Sequence, residues 1–254
     1  MALITFTIKL VAIQELTPTT RHFQFIRTDE QTLPFIPGQF ITLHIPAGDK
    51  KLRRSYSLAS IPGQDTTLDF AASYVEDGLA SEFLFHLSLG AEIEASGPAG
   101  RLVLRDDDQV ERYLLLATGT GVTPYRAMLP TLEKKIQTQQ TQVIIMEGVR
   151  TPAHLLYSHD FLRYAQKYPS HCRFGAYYSR HTGEPLQAHE HEGNICKHLP
   201  SLQPNPQTDI IYLCGNPNMI DEAYEILKEK GFDASRVRRE KYISSGVSVH
   251  GPIN

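Results

Sequence analysis

Arg54-Ser55-Tyr56-Ser57 places a cation, an aromatic ring and two hydroxyls on four consecutive residues. In an extended segment alternate side chains point to opposite faces, so Arg54 and Tyr56 share one side while Ser55 and Ser57 share the other. A strand end built this way offers a phosphate clamp and a flat stacking surface together. A tyrosine between serines also suits an ordinary strand with one buried and one solvated face, so the tetrapeptide gains meaning only from its company. Two later loops supply it: Gly119-Thr120-Gly121-Val122-Thr123-Pro124 and Cys214-Gly215-Asn216-Pro217.

Gly119-Thr120-Gly121 follows an apolar run and precedes a helical stretch whose first turn holds Pro124, a residue that needs no N–H there. Two glycines let a backbone approach a pyrophosphate, and a helix N-terminus adds unpaired N–H groups and the positive end of its dipole. The loop departs twice from the dinucleotide fingerprint. Pro124 stands where a third glycine belongs, and no acidic residue sits about 20 residues on at the end of a second strand. A plain strand-to-helix turn therefore remains open as a reading.

These loops need elements to hold them. From residue 1 to about 105 the chain reads as short alternating or apolar runs, such as 23–26, 39–43 and 68–72, divided by turn residues, which are β signals. Only 80–89 interrupts them, with Phe83, Leu84 and Leu87 at helical spacing and Ser81 as the expected N-cap. A small antiparallel barrel carrying one helix follows. After the charged break 105–109 the pattern changes to apolar runs at 113–117, 143–146, 174–178, 210–214 and 237–242. Helical stretches at 123–137, 153–167 and 218–230 separate them, the signature of a doubly wound parallel sheet. In strand order 3-2-1-4-5 the first and fourth strands are neighbours, so the turns after Thr118 and Cys214 face one pocket.

With 254 residues and 41% hydrophobic content, the chain suffices for two globular domains. A net charge of -3 argues against nucleic-acid binding through bulk positive charge. Three scattered cysteines, Cys172, Cys196 and Cys214, do not suggest a disulfide framework, and they are too few for a cysteine-ligated iron–sulfur cluster within this chain. The first eight residues alternate like a strand and lack the pattern of a signal peptide, and no run is apolar and long enough to span a bilayer, so a cytoplasmic location is expected.

Across nearly the whole chain, ordered motifs resemble the ferredoxin-NADP+ reductase superfamily, in its bacterial form. They are Pro37-Gly38-Gln39-Phe40, Arg54 to Ser57, Gly78 to Ser81, Gly97 to Gly100, Gly119 to Pro124 and Cys214 to Pro217. The resemblance implies a two-domain fold: a six-stranded antiparallel Greek-key β-barrel for FAD over 1–105, and a doubly wound α/β domain with a five-stranded parallel sheet for NAD(P) over 112–254. It implies that Arg54 binds the FAD pyrophosphate, that Tyr56 stacks on the isoalloxazine, that Ser57 bonds near flavin N5, and that Ser81 completes the pyrophosphate site. Arginine can fork two N–H groups onto phosphate, and an aromatic ring covers a π face at small entropic cost. Tyr74, Gly78, Gly119, Thr120, Gly121, Thr123, Pro124, Arg150, Gly215 and Pro217 join the expected cofactor-binding set.

Plant-type members end on Glu-x-Tyr. Glu240-Lys241-Tyr242 has that spacing, although twelve residues follow it here. Ser57, Cys214, Glu240 and Tyr242 are thus the expected catalytic residues. Ser179-Arg180 matches the family's 2′-phosphate site, while the second cation found in some bacterial members is replaced in Gly193-Asn194-Ile195, so NADP is expected and NAD remains possible. The expected partner is an acidic one-electron carrier, ferredoxin or flavodoxin. It would be met by a collar of Lys50, Lys51, Arg53, Arg236, Arg238, Arg239 and Lys241 on a monomer that binds neither nucleic acid nor membrane. Two alternatives stand beside this reading. One is an NADH-dependent reductase component of an oxygenase or a free-flavin reductase. The other is a non-enzymatic metal-binding regulatory module around His181, His189, His191, His198, Glu190 and Glu192, although no bound metal is expected.

Overall fold

The structure, a computed structural model, describes residues 4–181 and 183–242. The start of the first expected strand, Met1 to Leu3, and the twelve residues after Tyr242 lie outside the described residues.

The first half forms one antiparallel sheet of six strands, β1 (Ile4–Thr17), β2 (Thr20–Arg27), β3 (Phe40–Ala47), β4 (Lys50–Ser57), β5 (Leu68–Ser73) and β6 (Glu92–Ala99), in the order β4-β3-β6-β1-β2-β5. The sheet curls so that its two edges meet. Ala59 N–H, just past β4, donates to Asp69 O on β5 at 2.7 Å, and the Tyr56 ring stacks on Phe70 at 4.7 Å between centroids. Inward-pointing Ile8, Leu10, Phe23, Phe25, Ile41, Leu43 and Phe70 fill the interior. Each such side chain removed from water contributes about 1.5–3 kcal/mol.

Helix α1 (Leu79–Phe85) plugs one end of the barrel with Leu84. Its N-cap is Gly78, not Ser81 as expected. Ser81 lies inside the first turn, where its hydroxyl sits 2.9 Å from the carbonyls of Val75 and Gly78 and accepts the Val75 N–H at 3.1 Å. A serine at this third helical position reaches back to tie the preceding loop.

The second half is a parallel sheet of β7 (Arg112–Thr118), β8 (Gln142–Val149), β9 (Cys172–Tyr178), β10 (Glu190–Glu192), β11 (Asp209–Gly215) and β12 (Val237–Lys241), ordered β10-β9-β8-β7-β11-β12. It has one strand more than expected. The extra edge strand β10 is only Glu190-His191-Glu192, which carries no apolar run to announce it. On β7 the strand period sends Tyr113, Leu115 and Ala117 to one face, under α2 (Thr123–Gln139) and α3 (Ser158–Lys167). Leu114 and Leu116 point to the other face, under α4 (Ile195–His198) and α5 (Pro217–Glu229). Burial on both faces is why this strand reads as a continuous apolar run. The helix expected from residue 153 begins only at Ser158, after a 3-10 turn at Pro152–His154.

One carboxyl breaks the apolar pattern of β8. Glu147 is wholly buried, its Oε1 accepts the Leu156 N–H at 2.8 Å, and its Oε2 has no partner among the described residues. Burial pushes this carboxyl well above the usual range, with the Leu156 bond only partly opposing it. A carboxyl raised in the folded state contributes its stability below the unfolded value, about 4.3, and loses it as pH rises, because the unfolded chain ionises it freely. Glu147→Gln keeps an acceptor for Leu156 and removes that penalty. Its melting temperature is expected to exceed the wild type by about 2–4 °C at pH 8 for each kcal/mol removed. Near pH 4 calorimetry should show no difference, and equal midpoints at pH 8 would refute the buried-acid account.

Candidate functional site

The carboxyl ends of β7 and β11 lie side by side, and their two turns interlock. Gly119 has φ +52° with nothing within 4 Å of where a Cβ would stand, so its backbone is open to an approaching group. Gly215, at φ +117°, lies where a Cβ would come within 2.6 Å of both Thr118 O and Thr118 Oγ1. A side chain there is excluded by conformation and by space. Gly121 packs in turn on the Cys214 carbonyl. Asn216 caps α5 by accepting the Asn218 N–H at 2.8 Å, and Thr118 Oγ1 accepts the Asn216 N–H at 2.9 Å. Asn216 and Thr118 were missed because one is the variable position of its motif and the other precedes its own.

Two clefts open along this edge. The first, about 420 Å³, runs between the barrel and the sheet and is bordered by Arg54 to Ser57, by Gly78 and Ser81 at the start of α1, and by Thr120, Thr123, Glu240 and Tyr242. All four residues of the tetrapeptide reach it, although strand alternation assigns them to two faces, because the cleft lies at the end of β4. The second, about 660 Å³, lies over the parallel sheet and is bordered by Gly119, Thr120, Arg150, Ser179, Gly215 and Tyr242, with Tyr74 on the barrel side. Backbone bonds from Ser179 N to Val149 O at 2.9 Å and from Arg180 N to Arg150 O at 2.8 Å hold the far end together. Gly121, Pro124, Arg180, Cys214 and Pro217 border neither cleft. Pro124 and Pro217 occupy first-turn positions of α2 and α5.

Ser73, Thr120 and Tyr242 border both clefts, and the titratable side chains gather at that junction. The Tyr242 hydroxyl donates to Ser57 Oγ at 2.6 Å, and Ser57 Oγ donates to Glu240 Oε1 at 3.1 Å. The fully buried Cys214 thiol is close enough to Tyr242 for the two groups to influence each other electrostatically. β12 places Glu240 beside Cys214 in register, and Tyr242 N–H is pinned to Gly215 O at 2.8 Å. Three residues separated by up to 185 positions thus form one chain of hydrogen bonds, with Cys214 beside it. Burial raises the Glu240 carboxyl above its usual range against the Ser57 bond, and burial drives the Cys214 thiol and the Tyr242 hydroxyl well above theirs. Thiol and phenol therefore stay protonated near neutrality. Burial pushes the Tyr56 hydroxyl up to about 12, with Arg54 opposing.

The first cleft suits a flat, phosphorylated group. Arg54 supplies a cation, Tyr56 an aromatic ring on its wall, and Thr123 a buried hydroxyl with no partner among the described residues. The open Gly119 turn, with Thr118 and Thr120 on the same wall, suits a second phosphorylated group in the other cleft.

The expected basic collar is corrected in part. Arg238 is buried, bound to Asp108, the Val103 carbonyl and Tyr212. Lys241 pairs with Asp221 at 2.6 Å, Lys51 pairs with Glu94 at 2.8 Å, and the Arg239 guanidinium lies 3.7 Å over Tyr224. Cations followed by acidic neighbours in space cannot be told from free ones in sequence. His191 and His198 pack on Tyr177 at 4.7 and 4.8 Å, and among the described residues no three His, Cys, Asp or Glu side chains are arranged to hold a metal. No described helix is long and apolar enough to cross a membrane.

Comparison with known proteins divides the chain along the same line. The family described as oxidoreductase FAD-binding domain matches residues 7–104, and the oxidoreductase NAD-binding domain family matches 115–225. The chain is 31% identical over 247 residues to ferredoxin--NADP reductase B of Sorangium cellulosum, covering 93% of this chain and 97% of that protein. It is 28% identical over 245 residues to the toluate 1,2-dioxygenase electron transfer component of Pseudomonas putida, covering 92% of this chain and 66% of that one. A ferredoxin NADP+ reductase from Neisseria gonorrhoeae, solved with bound FAD and NADP, superposes with a TM-score of 0.80 at 21% identity, over 93% of this chain and 98% of that one.

Proposed function

We propose a function from one premise: this chain belongs to the ferredoxin-NADP+ reductase superfamily. It is an oxidoreductase of that type, with FAD and a nicotinamide nucleotide as cofactors and an electron carrier as partner. We assign residues 1–105 to FAD and 112–254 to the nucleotide. The carrier is a ferredoxin or a flavodoxin, and NADPH is the preferred nucleotide. The observation that carries this reading is the junction at Tyr242, where the two clefts meet beside Ser57 and Glu240.

Bound FAD supplies the capacity to take two electrons as a hydride and to release them one at a time. The chain's own residues supply position. Arg54 holds phosphate at the barrel side, Tyr56 provides the stacking surface, and the amino end of α1, with Gly78 and Ser81, completes the phosphate grip. Thr123 offers its unmatched hydroxyl. Gly119, Thr120 and Gly215 cradle the nucleotide phosphates, while Arg150 and Ser179 hold the 2′-phosphate and Arg180, outside the cleft lining, braces Arg150 through its backbone N–H. Pro124 and Pro217 fix the starts of the helices behind these loops, Gly121 allows the turns to pack, and Tyr74 borders the cleft from the barrel. Tyr242 covers the place where the nicotinamide ring must lie and yields it on binding. Cys214 and Glu240 hold Tyr242 and Ser57 from behind.

The purified chain is expected to be yellow with one FAD, and anaerobic NADPH is expected to bleach its visible band within a stopped-flow trace. A colourless protein that cannot be reconstituted with FAD would overturn the reading. The catalytic efficiency with NADPH is expected to exceed that with NADH by about tenfold or more, since each charge-assisted bond to the 2′-phosphate contributes roughly 1.5–3 kcal/mol. Equal efficiencies would remove Arg150 and Ser179 from that role.

A further inference from the structure

The wall of the second cleft includes a segment that the barrel itself grips. Arg150, His154 and Leu156 border the cleft, and Glu147 fixes Leu156 from beneath through its backbone N–H. The next residue, Tyr157, adopts φ 56° and ψ 16°, a left-handed conformation uncommon for a bulky side chain. Its hydroxyl lies 2.8 Å from His22 Nδ1 on β2, and the two rings meet edge to face at 5.8 Å. His22 Nε2 lies 3.3 Å from Asp69 Oδ2 on β5, which also accepts from Gln24 at 3.1 Å. With Asp69 accepting the Nε2 proton, a neutral His22 presents Nδ1 as the acceptor for Tyr157.

Across the ring stands Arg126 of α2, its guanidinium 5.3 Å from the Tyr157 centroid. It donates to Ala59 O of the barrel at 2.8 Å and to Asp160 Oδ2 of α3 at 2.9 Å. Tyr157 is therefore clasped between the two domains. Of the two strands that hold it, β5 lines both clefts and β2 lines the second. Thr20 and Ser73 are paired in register, joined by a 2.8 Å hydroxyl contact, and border the second cleft, while Ala71 to Ser73 border the first.

We infer that the His22–Tyr157 hydrogen bond lets the barrel set the shape of the nucleotide cleft, so that His22 and Tyr157 are positioning residues for NADPH although neither borders either cleft. A paired strand unit is rigid enough to transmit position between the two clefts. The inference rests on the second cleft being the nucleotide site.

The test uses the FAD-loaded enzyme, with ferricyanide as acceptor for kinetics and NADP+ titrated against the flavin spectrum for binding. Tyr157→Phe removes one oxygen, and the expected result is a rise of about fivefold in both KM for NADPH and Kd for NADP+, the size of one net hydrogen bond, with kcat within twofold and FAD content unchanged. His22→Leu is expected to do the same, and the double variant to be no worse than either single one. His22→Asn, whose amide can accept where Nδ1 stood, is expected to return both constants to within twofold of wild type. Unchanged constants in Tyr157→Phe, effects that multiply in the double variant, or a loss confined to the melting temperature would overturn the inference. A wild type that NADPH does not bleach would instead refute the function itself.

Discussion

Ser57→Ala is expected to slow the reduction of bound FAD by NADPH about 10²-fold while FAD stays in place, the cost typical of removing one preorganised hydrogen-bonding group from a reacting centre. Stopped-flow absorbance against NADPH, alongside FAD content, measures both. Retention follows because Arg54, Tyr56, Gly78 and Ser81 border the cleft independently of Ser57. The rate falls because Ser57 is the central link, accepting from Tyr242 and donating to Glu240. Its removal leaves a half-buried phenol and a half-buried carboxyl each short of a partner. A rate within threefold of wild type would show that the chain of contacts only braces the junction.

The polarity of that chain sets the pH response. While Glu240 is ionised it takes the single Ser57 proton, so Ser57 has none to offer to the cleft. Once protonated, Glu240 donates to Ser57, which then turns its own proton outward. Burial raises the Glu240 carboxyl above its usual range, so the change falls above ordinary glutamate titration. The reduction rate of the wild type is accordingly expected to fall as pH rises through that value. Glu240→Gln, whose amide donates at every pH, should flatten the profile; a profile that keeps its inflection in the variant assigns the titration elsewhere.

Much of this architecture is legible from residue types because it depends on local rules. The glycine turns, the prolines at the starts of α2 and α5 and the two-sided apolar strand of β7 announce themselves through backbone preference and periodicity. The strand order that brings Gly119 and Gly215 together follows from how parallel sheets are wound. Ser81, β10 and the clasp at Tyr157 were not legible. Ser81 could be placed near a helix start but not at its third position, since boundaries shift by a residue or two. β10 is polar throughout and pairs only because β9 offers an edge. His22, Asp69 and Tyr157 carry no motif. Their meeting is a property of how two domains close, and nothing within either segment encodes it. The same limit explains Arg238, read as a surface cation beside the site until folding buries it against Asp108.

That buried pair carries the largest expected effect on stability. Arg238 and Asp108 are almost fully shielded from solvent, joined by a 2.8 Å bond from Arg238 Nη1 to Asp108 Oδ2 and by a second, closer contact. Asp108 also accepts from Tyr113 at 3.0 Å and from the Arg105 N–H at 3.2 Å. Burial alone would raise the Asp108 carboxyl, but the Arg238 guanidinium outweighs it and holds the group below the usual carboxylate range. Asp108→Asn leaves the guanidinium buried without its counter-charge, at a cost of about 3–5 kcal/mol. At roughly 2–4 °C per kcal/mol, the melting temperature should fall by about 6–20 °C near pH 7. A carboxyl depressed by folding contributes stability above its unfolded pKa, about 3.9, and loses it as pH falls through the folded value, so the gap between variant and wild type should narrow in acid. Replacing both partners, Asp108→Leu with Arg238→Met, should recover most of the loss because no orphan charge remains. Because β12 carries Arg238 and Glu240 two residues apart, the single variant is also expected to slow NADPH oxidation and the double variant to restore part of it. A double variant as unstable as Asp108→Asn would mean that geometry, not charge, is what the pair contributes.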